Sequence, residues 1–206
     1  MSTKASEVIT IKAPKFERMQ LTIVGTAPYM QARFSKKGEI MAKMALGSTA
    51  RKGAKREARD FEKDFREAQH ISEEGWVGVP ASALRNASID ACRMVGFQMT
   101  KAKMSIFIEA DGLDAEDGSP LIRIEGEPEM STMTTRNATG VVDVRARPMW
   151  RRWQLNVRVK YDADQFSASD VVNLVARAGQ QVGIGEGRPF SKSSNGIGFG
   201  TFEVSP

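Results

Sequence analysis

WQLNVRVKYDADQFSASDVVNLVARAG, residues 153–179, decides the fold. Its first nine residues alternate. Trp153, Leu155, Val157, Val159 and Tyr161 fall on one side, and Gln154, Asn156, Arg158 and Lys160 on the other. A period of two with one apolar face predicts a strand whose other face is wet. Ser167, followed three residues later by Asp170, then predicts a helix N-cap. Val171, Leu174, Val175 and Ala178 line one side of that helix, and Gly179 marks its expected stop.

Outward from this unit the same signals recur. GFGTFEV (198–204) predicts a closing strand, MSIFIEA (104–110) an internal one, and MQLTIVGT (19–26) the first. PASALRNASIDACRMVG (80–96) predicts a helix with Pro80 in its first turn and Gly96 as its stop. Leu84, Ala87, Ala91, Met94 and Val95 share one side of it. A further helical pattern runs from about Ser48 to Gln69, with Phe61 and Phe65 four apart on its expected buried stripe. Strand, helix, strand, strand, helix, strand is the order of an α+β, ferredoxin-like (split βαβ) fold: an antiparallel sheet with two helices. Two long insertions interrupt it, a basic one at 27–79 and one at 111–149, where LIRIEG and VVDVRA predict an extruded hairpin. The expectation is a single domain over 1–206.

With 41% hydrophobic residues the chain can build a core, and no apolar run reaches the length of about 18 residues that a membrane span needs. The first residues carry no signal-type apolar core, and the lone cysteine, Cys92, fits a reducing compartment; both lead to an expected cytoplasmic location. One cysteine and one histidine, His70, leave no zinc ligand set. Asp111, Asp114, Glu116 and Asp117 crowd together in DGLDAEDG (111–118), but the spacing is not that of a calcium loop and reads as a solvated turn. No metal and no cofactor is expected.

The net charge of +5 is concentrated. Between Gln31 and Asp60 nine Lys and Arg face three acids, a surplus of six. Such a stretch is suited to a phosphate backbone, and Arg33, Lys36, Lys37, Lys43, Arg51, Lys52, Lys55 and Arg56 are its candidate contacts. In VRARPMWRRW (144–153), Arg145, Arg147, Arg151 and Arg152 stand beside two tryptophans. Trp153 belongs to the buried side of its strand, which leaves Trp150 to stack on a base.

AGQQVGIGEGRPFSKSSNGIGFGTFEV (178–204) contains seven glycines. A P-loop is excluded, because Glu186 and Ser191 stand where its glycines belong, and a helix precedes the segment instead of following it. A dinucleotide fingerprint is excluded because Gly183, Gly185 and Gly187 are spaced G-x-G-x-G. Two readings stay open. The amides around Gly183, Gly185 and Gly187 form a phosphate nest aided by Arg188, Lys192 and Ser193, or the glycines serve turns and bulges.

GIGEGRPFSKSSNGIGFGTF (183–202), with Gly183-Ile184-Gly185, Arg188 and Gly198-Phe199-Gly200, resembles the C-terminal glycine-rich motif of the RAMP superfamily. These are the RNA-binding backbone and processing proteins of CRISPR systems. The opening MQLTIVGTAPYM, with Gly25 and Pro28, is similar to the start of many such proteins. The resemblance implies a ferredoxin-like core and a glycine loop that follow a single strand, with copies assembled along it. It also implies a thumb-like hairpin, which 111–149 would supply. Processing members rely on a histidine or on a tyrosine-lysine-serine set; here His70, at the end of a charged helix, reads as a solvated or capping residue. The expected function is therefore non-catalytic, sequence-tolerant binding of single-stranded nucleic acid, RNA favoured over DNA, by a self-associating relative, of which a free-standing phage-type protein is one form. The alternatives are a metal-independent endoribonuclease and a phage structural or adaptor protein.

Overall fold

A computed structural model of the chain describes residues 12–33, 60–136, 142–191 and 196–205. Its elements, in chain order, are β1 (Phe16–Gly25), β2 (Tyr29–Met30), α1 (Phe61–Glu67), β3 (His70–Ile71), β4 (Val77–Pro80) and α2 (Ala81–Ala91). Then come α3 (Met99–Ser105), β5 (Ile106–Glu109), β6 (Gly112–Leu113), β7 (Pro120–Glu125), β8 (Glu129–Arg136) and β9 (Val142–Trp150). The chain ends with β10 (Gln154–Asp162), α4 (Ala168–Arg177) and β11 (Phe202–Ser205). The fold is α+β with an antiparallel main sheet.

β10 is the axis of that sheet. β1 pairs along its whole length, from Phe16↔Asp162 to Val24↔Gln154, and β11 closes the other side of β1. The far side of β10 is shared end to end. β5 pairs with residues 158–161, and β7 pairs with Gln154 and Leu155. From β7 the sheet continues through β4 to β3, with β6 also on β7. Trp153, Leu155, Val157, Val159 and Tyr161 are all buried, as the alternation requires. Each apolar side chain so buried contributes about 1.5–3 kcal/mol. A one-residue slip would put Arg158 and Lys160 inside instead, so the register is strongly specified. α2 and α4 pack together over this face through Leu84, Ala87, Val171, Leu174 and Val175. The capping box holds: the Asp170 amide donates to Ser167 Oγ at 3.2 Å, and the Ser167 amide to Asp170 Oδ2 at 3.0 Å.

Several expectations shift. LIRIEG and VVDVRA do not pair with each other. Leu121, Ile122 and Ile124 are buried, which places β7 in the main sheet, and β9 pairs instead with β8 to form a long hairpin. Residues 48–59 of the predicted basic helix lie outside the described residues. The remainder, α1, starts at the N-cap Asp60 and is short, and none of its residues is buried: Phe61 is 38% exposed and Phe65 only half-buried. α2 tightens into a 3₁₀ turn at Cys92–Val95, which rotates Met94 and Val95 out to 65% and 50% exposure. α3 takes Met104 and Ser105 before β5 begins. α4 runs past Gly179 through a π turn and stops at Gly183. GFGTFEV is extended only from Phe202, because Gly198 and Gly200 have φ of +89° and +67°, outside the β region. Among the described residues no helix is long and apolar enough to cross a membrane.

Candidate nucleic-acid interface

The glycine segment passes the hairpin base, and several of its amides donate to protein carbonyls. The Gly183 amide donates to Ala178 O, Ile184 to Gly200 O, Glu186 to Met30 O, Gly198 and Phe199 to Gly187 O, and Gly200 to Pro28 O, all at 2.7–3.1 Å. Gly183, Gly185 and Gly187 have φ of +72°, +80° and +80°, a region that L side chains rarely adopt. Space is equally restrictive. A Cβ on Gly185 would lie 2.5 Å from Met30 O and 2.6 Å from the Tyr29 ring, and one on Gly200 would run into the Ile184 carbonyl. Of the two open readings the amide partners favour the second, in which the glycines let one backbone approach another. Arg188 turns inward as well, donating to Gly185 O at 2.9 Å.

The hairpin and its surroundings sort the predicted cations into two groups. Arg33 is a buried one. Its side chain is 5% exposed, and its Nη2 lies 2.7 Å from Asp114 Oδ1 and 3.3 Å from Glu116. A guanidinium sequestered between carboxylates is not available to a phosphate, so Arg33 is a structural ion pair. Asp114 belongs to the expected solvated turn, yet it is fully buried, and its other oxygen lies 2.8 Å from His70 Nδ1. The His70 amide donates to Gln31 Oε1, so the root of the basic insertion is tied to β3 and to the 114 turn. Trp150 is the second correction. It is completely buried, its Nε1 donates to Gly126 O, and its ring packs 5.5 Å from Tyr29, so it offers no stacking face. Burial also pushes the Tyr29 hydroxyl well above its ordinary pKa. Arg147 is mostly covered and pairs with Glu186 at 3.0 Å. Arg151 and Arg152, in the turn after β9, are exposed, Arg151 reaching Glu129 at 2.8 Å. Arg145 occupies β9 opposite Met133. Lys36, Lys37, Lys43, Arg51, Lys52, Lys55, Arg56, Lys192 and Ser193 lie outside the described residues.

The sheet face opposite α2 and α4, expected only to be wet, carries ring and ion-pair contacts that the sequence did not reveal. Phe16 and Phe107 meet there edge to face with centroids 5.8 Å apart, and the Lys160 ammonium lies 4.6 Å and 5.6 Å from the two rings. Arg18 pairs with Glu109 at 2.7 Å and Arg158 with Asp111 at 2.9 Å. Where β5 and β7 part along β10, a polar groove of about 620 Å³ opens, lined in part by Trp76, Arg123, Glu125 and Asn156. The polar residues of WQLNVRVKY were the available signal, since an alternating strand commits its second face to something other than the core. No three or more His, Cys, Asp or Glu among the described residues are grouped to hold a metal ion. In comparisons with known proteins, the chain matches no family model and no curated protein.

Proposed function

We propose that the chain is a non-catalytic, sequence-tolerant binder of single-stranded nucleic acid, RNA in preference to DNA, with a ferredoxin-like core of RAMP type. The strand order β11–β1–β10–β5, antiparallel throughout, with α2 and α4 on one face, supports that core. One observation carries the binding. Arg33 is occupied by Asp114, and Asp60 is the N-cap of α1; with both set aside, eight cations and two acids remain at 34–59, and the surplus of six is undiminished. Both ends of that stretch are anchored beside the hairpin. The Arg33 amide donates to Ala68 O, and α1 packs on β9. The exposed Arg151 and Arg152 stand at the hairpin base. Self-association along the strand is supported by an apolar patch: Met94 and Val95 are exposed, and their neighbour Arg93 lies 6.0 Å from the exposed Phe190 ring.

Fluorescence polarisation of a labelled single-stranded RNA over a salt series tests the reading. Engagement of about six cations predicts a log K against log salt slope of about −4. No binding, or binding that salt does not weaken, would remove the electrostatic reading.

The His70–Asp114 contact favours a second reading, a metal-independent endoribonuclease, because a carboxylate on Nδ1 is how an imidazole is oriented for proton transfer. A pure binder leaves labelled RNA uncut. Cleavage by the wild type that His70→Ala abolishes would establish the nuclease instead.

A further inference from the structure

Trp76 is set in place by more than its own turn. The Ser72 amide donates to Trp76 O at 2.8 Å, and the Trp76 amide donates back to Ser72 Oγ at 3.1 Å. The indole Nε1 donates to Glu74 Oε2 at 3.1 Å. The ring lies against two glycines. A Cβ on Gly78 would come within 2.9 Å of its Cζ3, and one on Gly112 within 2.7 Å of its Cζ2. Neither glycine has a positive φ, so space is what excludes a side chain: the indole at Gly112, and at Gly78 the indole together with Leu121 Cβ and the Ile122 carbonyl. An indole held against strand backbones and lining an open groove is a rigid, amphipathic surface. The groove's volume, about 620 Å³, falls within the range of about 300–1,000 Å³ usual for small organic ligands.

The charge of the lining tells which part of a nucleotide fits. Glu74, Asp111 and Glu125 outnumber Arg123 and Arg158, so the groove does not attract a phosphate. Carboxylates accept hydrogen bonds from the N–H edges of bases. Glu125 accepts from Gln154 and Asn156, which fills two of the roughly four acceptor positions of a carboxylate.

We propose that this groove is a nucleobase subsite, in which one base of a bound strand stacks on Trp76 and turns its N–H edge to Glu125. This assignment rests on the single-strand binding proposed above and gives it a second kind of contact, apart from the basic stretch.

Tryptophan emission tests it on the unaltered protein. Trp150 and Trp153 are 0% and 3% exposed, which leaves Trp76 as the tryptophan that a ligand reaches. Guanosine monophosphate and a single-stranded RNA are each expected to quench the emission, and ribose 5-phosphate, which has no base, is not. Trp76→Leu is expected to remove the quenching and weaken RNA binding about tenfold. Equal quenching by ribose 5-phosphate overturns base stacking. RNA binding that leaves wild-type emission unchanged and is unaffected by Trp76→Leu overturns the subsite and keeps the proposed function. Quenching by the mononucleotide without RNA binding keeps the subsite and overturns the proposed function.

Discussion

The glycine segment at 183–200 and the groove beside Trp76 are both built around glycines, and they use them in opposite ways. At Gly183, Gly185, Gly187 and Gly200 the backbone itself is left-handed, and the amides of the segment close on carbonyls of Ala178, Met30, Gly187 and Pro28. At Gly78 and Gly112 the backbone is ordinary and the missing Cβ makes room for an indole, and at Gly78 also for Leu121 and the Ile122 carbonyl of β7. The first set joins the last part of the chain to the rest; the second presents a ring outward. Glycine density alone does not distinguish the two. The partners of the amides do.

The contrast can be broken most directly at Gly200→Ala. A non-glycine residue in the left-handed region costs about 1–2 kcal/mol, and forcing a methyl group against the Ile184 carbonyl adds about 1–3 kcal/mol. A loss of about 3 kcal/mol in a urea titration is expected; an unchanged midpoint with weakened RNA binding would return the segment to the ligand. A smaller effect sharpens the comparison at the entry to the same segment. Ser167→Ala removes the cap of α4 and is expected to cost about 1 kcal/mol. Its pH dependence has a definite sign. The Ser167 hydroxyl, with its amide in support, holds the Asp170 carboxyl below the usual carboxylate range. That contribution is present above the carboxyl's unfolded value and lost as pH falls through the lower folded one. Thermal melts of wild type and variant should therefore converge in acid. The smallest stability change belongs to the outward-facing cations. Arg151→Ala with Arg152→Ala should shift stability by no more than about 0.5 kcal/mol, while the salt slope of RNA binding falls by about 1.4. A large stability loss there would mean that the turn after β9 belongs to the interior architecture.

What could be read from residues alone was whatever depends on neighbours in sequence. The burial of Trp153, Leu155, Val157, Val159 and Tyr161 follows from a period of two, and the α4 cap follows from Ser167 and Asp170 three apart. Contacts between distant segments left no such trace. Arg33 and Asp114 are 81 positions apart, and each looks solvated in its own surroundings. Trp150 sits among arginines in sequence, yet β2 and Gly126 enclose it in space. LIRIEG carries the same short alternation whether it pairs with VVDVRA or with β10, so its partner was undetermined. Met94 and Val95 continue the α2 stripe only if the helix stays α-helical, and it tightens at Cys92. The wet face of β10 was visible as polarity; that Trp76 would border it was not.

The strand FERMQLTIVG takes its sheet partners, β10 and β11, from residues beyond 150. On the ribosome it must wait, with both edges bare, while most of the protein is still being made. Glu17 and Arg18 near its start place opposite charges on opposite faces, the kind of residue that keeps an unpaired strand from joining a neighbouring polypeptide. Folding of this sheet is in that sense a late event of synthesis, and slow translation of the second half would lengthen the period in which the newborn chain is most prone to aggregate.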